Sequence, residues 1–299
     1  MSIYPSSRKS LIVFRPHSPG ACHVLEALLQ GFKKFNIESK IIDPRDFNNE
    51  SLSNYDFVVT HTIKFGKRIV DQCIQQKKPV VYFDKGYTHR SWNNFGTEGY
   101  CRFSVNELHP TRYIMQMKCR DDRFRKLKLK LKRHRSKGKH IVFAGCTEKC
   151  GTAFGIDIHT FAKNTIQEVQ RHTSKVVVYR PKKSNDPPPP IEGTIYSHNG
   201  TKIMEELHEA HALITFTSNA AVEALMAGVP IYVLGPGIAL PLANTDLSTI
   251  ENPSFPDDQT RYQFFSNLAY SQWNLKEIAN GDTWKYLATV MQNHYDISL

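Results

Sequence analysis

The sequence predicts an α/β protein of two domains, each a mostly parallel sheet covered by helices on both faces. Three observations predict it. Short apolar runs alternate with helical stretches in the first third of the chain. The alternation returns after residue 139, and a dense basic segment separates the two series. The chain has 299 residues, enough for about two domains and a sizeable buried core.

The first series opens with the apolar run SLIVF, which ends at Phe14 and is closed by the turn-forming RPHSPG. Ala21–Phe35 has helical periodicity. Strand patterns follow at SKIID, DFVVTH and KPVVYFD, with a helix near Lys64–Gln76 before the last. Buried strands this short, separated by helices, mark a parallel sheet. The second series reads HIVFAG, a helix near Asp157–His172, KVVVYRP, GTIYS, a helix at Ile203–Ala210, ALITF, another helix, and PIYVLG. Pro187–Pro190 reads as a stiff loop, because strand patterns lie close on both sides. The expected domains are therefore 1–117 and 140–299, the second including C-terminal helices, with 118–139 as a basic interdomain segment. Two such domains facing each other would enclose a cleft. Open parallel sheets bind ligands beyond the carboxyl ends of their strands.

The net charge is +11, and the stretch from Lys118 to His140 holds twelve Lys and Arg against two Asp. Ten of the eleven charges lie there, so the rest of the chain is nearly neutral. Such a balance points to a polyanionic or phosphate-bearing partner, or to a solvated basic face. RFRKLKLKLKRHR alternates basic residues with leucines, so a strand or an irregular arm is as compatible as a helix. Lys128, Lys130, Lys132 and Arg133 are the expected contacts to nucleic-acid phosphates. Anionic lipid is the rival partner. Only Phe124 interleaves with the lysines, which argues against insertion into lipid.

Six cysteines lie scattered, and they form no disulfide framework. Reduced thiols and an intracellular setting are expected. Cys146 and Cys150 in CTEKC, with His159 beyond, are too few ligands for zinc and read as ordinary loop thiols. No targeting segment is expected, since the apolar run before Arg15 is only Leu11–Phe14. Ala224–Thr245 lacks charges for 22 residues but contains Pro230, Pro236 and Pro241. It reads as helix, strand and loop rather than a membrane span.

The stretch from Thr215 to Gly237, TFTSNAAVEALMAGVPIYVLGPG, carries the chemistry. Ser218 and Asn219 follow a strand and open a helix, where free N–H groups and the positive end of the dipole favour an anion. Their side chains can cap the helix or bond a phosphate oxygen. Glu223, one turn on, can accept from sugar hydroxyls. Gly228 and Pro230 end the helix. The plain alternative is an N-cap before a buried helix with one solvated Glu.

This stretch resembles the donor-site pattern of glycosyltransferases of the GT-B fold. The nearest shape is the group of capsule-polysaccharide and lipopolysaccharide sugar transferases with their bacteriophage relatives. VVVYRPKKS, Val176 to Ser184, is similar to the basic loop that in relatives helps hold the donor phosphates, which implies that role for Arg180 and Lys182. The usual His-Pro is replaced by Pro181-Lys182, so no imidazole role carries over. HIVFAGCTEKCG resembles the strand and loop entering the second domain and adds Lys149 to the donor set. The tail from Leu268 to Leu287 resembles the ending of the phage members. The likeness covers most of 139–290. It implies two Rossmann-like domains facing a cleft and a nucleotide-sugar co-substrate, a UDP-sugar in this reading, with no resident cofactor.

VVYFDKGYTHR and FSVNELHP look like parts of the phage members' acceptor domain. Asp84 ends a strand there and could take the proton from an attacking hydroxyl. A strand-end turn former is its plain alternative. His17 in RPHSPG is the rival base. Lys85 and Arg90 could hold DNA phosphate. No Asp-x-Asp pair occurs in the chain, so a metal-independent site is expected, with cationic side chains and helix dipoles neutralising the diphosphate.

The leading expectation is a cytoplasmic, monomeric transferase that moves a sugar to a hydroxymethylated pyrimidine in phage DNA, in the host cytoplasm, with the base flipped from the stack. A transferase of surface polysaccharide is the alternative. A non-catalytic DNA-binding protein on a transferase scaffold is the third, and intact Ser218, Glu223, Arg180 and Lys182 speak against it.

Overall fold

The computed structural model describes residues 7–16, 19–90, 99–183, 186–197 and 201–298. In chain order β1 (Arg8–Val13), α1 (Pro19–Lys33), β2 (Ile37–Ile42), β3 (Phe57–His61), α2 (Ile63–Gln75), β4 (Val80–Lys85) and β5 (Tyr100–Val105) come first. Then follow α3 (Asp122–Lys126), β6 (His140–Ala144), α4 (Glu148–Phe154), α5 (Ile158–His172), β7 (Val176–Arg180) and β8 (Thr194–Tyr196). The remainder is α6 (Ile203–Glu206), β9 (Ala210–Thr215), α7 (Ala220–Ala227), β10 (Ile231–Val233), α8 (Asp258–Tyr270), β11 (Gln272–Asn274), α9 (Leu275–Ala279) and α10 (Asp282–Tyr295).

Two compact units result, Met1–Tyr113 with Leu268–Leu299, and Ile114–Asn267. The first is built on a sheet of order β11-β5-β4-β3-β1-β2. Its central strands are parallel, and all five residues of β3 are buried, as apolar runs covered on both faces must be. At the edge, β2 exposes Ile41. Helix α1 turns Ala21, Val24, Ala27, Leu28 and Phe32 inward at helical spacing. Phe32, Phe57 and Trp284 pack ring on ring, with Phe57 and Trp284 stacked at 4.7 Å.

Two strands depart from the expected parallel pattern. β5 pairs antiparallel with β4, and β11 antiparallel with β5. The second pairing changes the domain boundaries. The expected second domain ran to residue 299, but β11, α9 and α10 belong to the first unit. Gln272 fixes this return, since its Oε1 accepts from the backbone N–H of Tyr87 at 2.9 Å and of Thr88 at 3.1 Å.

The second unit has the all-parallel order β10-β9-β6-β7-β8. One face buries Ile141, Phe143, Val177, Tyr179 and Ile214 against Ala162, Ile166 and Val169 of α5. Helix α6 is shorter than expected, and β9 begins at Ala210.

The basic segment is not a separate linker. It lies within the second unit as a docked strap. After α3 the chain turns at Leu127–Lys128 and runs on without regular structure; Leu127 and Leu129 are buried while Lys128, Lys130, Lys132 and Arg133 are exposed. The strap also caps α7. Lys132 N–H donates to the Met226 carbonyl and Arg135 N–H to the Gly228 carbonyl, both at 2.8 Å. The buried Arg261 guanidinium takes the Leu225 carbonyl at 3.2 Å. Carbonyls at the end of α7 and just past it thus gain partners.

Candidate functional site

In the second sheet β6 connects to β7 on one side, while β9 returns to its other side. This reversal of strand order is where an open parallel sheet leaves a crevice at its carboxyl edge. The strand ends are level there, because Ala144 is in register with both Arg180 and Thr215. Three loops therefore leave the sheet side by side.

Thr215 ties two of them together. Its buried Oγ1 donates to the Ala144 carbonyl at 2.7 Å and accepts from the Ser218 N–H at 3.1 Å. Ser218 Oγ then accepts from the Ala220 N–H at 3.2 Å, as a helix cap does. A hydroxyl that accepts in this way still has its own hydrogen to give, so Ser218 can donate to an anion. Asn219 stands at the N-cap position of α7 but makes no side-chain cap bond. Glu223 is partly buried in the first turn. The Thr217 hydroxyl donates to the Pro236 carbonyl, joining the loops after β9 and β10. Gly235 is required beside them, since a Cβ there would lie 2.4 Å from the Phe216 ring.

Arg180 closes β7 and its guanidinium donates to the Thr201 carbonyl at 2.9 Å, while the loop beyond carries the exposed Lys182. Gly145 N–H donates to the Arg180 carbonyl at 2.9 Å, which holds the β6 and β7 loops together. Lys149 is exposed in α4, directly after β6. The six expected donor residues, Lys149, Arg180, Lys182, Ser218, Asn219 and Glu223, thus lie at the end of β7 or on the segments that follow β6, β7 and β9. Sequence reasoning passed over Thr215, which joins the loops, because a strand-ending threonine carries no local sign of a bridging role.

In the first unit Asp84 is the next-to-last residue of β4, and it is firmly held. It accepts from Tyr82 Oη at 2.9 Å and from the Lys85 N–H at 2.7 Å. Arg102, its antiparallel partner on β5, completes an ion pair at 3.4 Å. The Arg102 guanidinium lies over the rings of Tyr82 and Tyr87 and is 2.9 Å from His109 Nδ1. Burial, with the Arg102 charge beside it, holds His109 well below the usual histidine range. Sequence reasoning missed Arg102, because only the antiparallel register of β5 puts it opposite Asp84. The rival base His17 lies outside the described residues.

Of the expected DNA contacts, Lys128, Lys130, Lys132 and Arg133 are gathered on the strap. Lys85 and Arg90 belong to the other unit and are exposed. Among the described residues, no group of three or more His, Cys, Asp or Glu is placed to hold a metal ion. No helix among them is long and apolar enough to cross a membrane.

No protein-family model and no curated protein matches the chain. Solved structures do, among them two that cover more than nine-tenths of the chain. One is the β-Kdo 2,7 transferase of Thermosulfurimonas dismutans KpsC, 12% identical, covering 93% of this chain and 99% of that one at a TM-score of 0.52. The other is the β-Kdo 2,4 transferase of the same protein, also 12% identical, covering 91% and 97% at 0.53. This likeness shows the fold, an α/β protein of two Rossmann-like domains in the GT-B class.

Proposed function

We propose that the protein is a glycosyltransferase that moves a sugar from a nucleotide-activated donor to a saccharide acceptor of the surface-polysaccharide kind. The observation that carries this reading is the level edge of β6, β7 and β9, where the segment after β9 carries the Ser218 hydroxyl and the end of β7 and its loop carry Arg180 and Lys182. Likeness to two Kdo transferases in fold supports it and moves the polysaccharide acceptor ahead of DNA.

In this reading the donor phosphate sits at the start of α7, bonded by Ser218, and Arg180, Lys182 and Lys149 supply positive charge. As the anomeric C–O bond breaks, the leaving oxygen takes the electron pair, and those cations stabilise the growing charge. The same cations do the work that a divalent metal does elsewhere, so turnover is expected to survive chelation with EDTA. Glu223 accepts from donor hydroxyls. Asp84, its carboxylate held by Arg102 and Tyr82, is the proposed base for the acceptor hydroxyl.

The strap favours a second reading, in which the acceptor is a hydroxymethylated pyrimidine of DNA. Its four cations are exposed while Leu127 and Leu129 are buried, an arrangement that presents charge to a phosphate backbone without sequence preference.

One experiment separates the two. The protein is incubated with a panel of nucleotide-activated sugars, uridine-linked donors and activated Kdo among them, together with saccharide acceptors, plain DNA or hydroxymethylated DNA. Mass spectrometry reads the products. Transfer to saccharide is expected. Transfer to hydroxymethylated DNA alone would install the second reading, and no transfer from any donor would remove both.

A further inference from the structure

We propose that His109 is a positioning residue for the transfer: it fixes the Arg102 guanidinium, and that guanidinium fixes the Asp84 carboxylate. The role rests on the reading of Asp84 as the base, whereas the bridge from His109 to Asp84 does not.

Arg102 lies on β5 in register with Asp84 on β4. Its two terminal nitrogens meet different partners. Nη1 is 2.9 Å from His109 Nδ1, and Nη2 is 3.4 Å from Asp84 Oδ2. A guanidinium is planar and rigid, so whatever holds one terminal nitrogen also sets the direction of the other. Among the described residues the buried Nε has no hydrogen-bond partner. The Tyr82 and Tyr87 rings lie 5.7 and 5.2 Å from the guanidinium carbon. They attract its charge without selecting a direction for either N–H. His109 supplies that direction.

The imidazole can do this in one form alone. Arginine only donates, so Nδ1 must carry a lone pair and the ring proton must sit on Nε2. Nη1 is farther from Nε2, at 3.5 Å. The Tyr87 hydroxyl, 3.1 Å from the same Nδ1, then donates to it as well. Burial and the Arg102 charge keep the ring neutral. Tyr87 is itself fixed, since Gln272 takes its backbone N–H. Gly86 before it has no room for a Cβ, which would lie 2.7 Å from the Tyr100 carbonyl oxygen.

Exposure fits the order of the bridge. The Arg102 side chain is 14% exposed and that of Asp84 30%, so the holding group is covered and the held group is open. Asp84 Oδ2 accepts from Tyr82 and Arg102, and Oδ1 accepts from the Lys85 N–H. A lone pair on Oδ1 is left for the acceptor's proton.

Nitrogen-15 NMR of the whole labelled protein tests the bridge. The chain has 13 His, and the His109 signals are those lost in His109→Asn. At pH 7 Nδ1 should appear as a nitrogen without hydrogen, and Nε2 as one with it. The opposite tautomer, an even mixture or an imidazolium would overturn the bridge and the role with it. Kinetics test the role, with the donor and acceptor that the panel of sugars and acceptors identifies. His109→Leu should lower kcat roughly ten- to a hundredfold, as misplacing a catalytic group does, with the acceptor KM nearly unchanged. His109→Asn should recover most of that loss, because its Oδ1 takes the place of Nδ1 and accepts from Nη1. Arg102→Lys keeps the charge but not the fork, so its kcat should fall as well, and it carries the test if His109→Leu does not fold. Parental kcat in His109→Leu, or equal losses in the Leu and Asn variants, would overturn the role. No transfer by the parent from any pair would count against the proposed function, and the role would fall with it, while a single tautomer would leave the bridge standing.

Discussion

Single side chains carry two predictions. Glu107 accepts from the Arg112 N–H at 3.2 Å, yet burial raises its pKa from 4.5 to about 7. Between those values the folded protein binds more protons than the unfolded chain, so the stabilisation present at low pH is lost as pH rises through about 7. Glu107→Gln should therefore be more stable than the parent at pH 8, by up to about 3 kcal/mol. That advantage should disappear below pH 5. Urea denaturation at both pH values checks it, and a difference independent of pH would reject it. At the donor edge, Ser218→Ala removes both a cap and a donor to the anion. Calorimetric titration with nucleotide ligands should show roughly a tenfold loss of affinity, the size of one charge-assisted hydrogen bond. Equal binding by parent and variant would remove Ser218 from the site.

At the scale of elements, α7 and the strap meet at a close backbone approach. Gly228 has φ +77°, and a Cβ there would lie 2.0 Å from the Arg133 carbonyl oxygen. Gly155, which ends α4, has φ +66° with nothing within 4 Å of its Cβ position. The pair separates two costs of losing a glycine. Gly155→Ala should cost only the left-handed backbone penalty, about 1 kcal/mol. Gly228→Ala should cost distinctly more and should lift the strap. Limited trypsin digestion reads the lifting, as faster cleavage within Lys128–Arg135 for Gly228→Ala alone. Equal cleavage of the two variants would mean that the strap is not held by this contact. Beside it His134 stacks on Phe255 at 4.3 Å, with Arg261 over the same Phe255 ring. The strap is thus seated by its aromatic and leucine side chains, which leaves its lysines outward.

For the whole molecule the decisive feature is the return of the chain to its first sheet. A protein ending at Asn267 would lose β11, the Gln272 bonds to Tyr87 and Thr88, and the Trp284 ring that packs on both Phe32 and Phe57. Such a truncation should leave the first unit without cooperative unfolding and should raise binding of a hydrophobic dye. Native-like unfolding of 1–267 would show that the tail is dispensable.

The sequence by itself determined the α/β class, the parallel strands β1, β3, β4, β6, β7 and β9, and the loops that carry Ser218, Arg180 and Lys149. Each of these follows from local information: apolar runs of strand length, helical spacing, and polar residues just beyond strand ends. Only the tertiary structure decided that β5 and β11 run antiparallel, that Arg102 faces Asp84, and that the basic segment is docked. The alternation of Leu with Lys allowed an extended arm, but nothing in it said that Leu127 and Leu129 would be buried or that the end of α7 would take the backbone N–H groups of Lys132 and Arg135. Strand direction and docking depend on partners far along the chain, as with Gln272 and Tyr87. Periodicity records which face of an element is buried and is silent on what buries it.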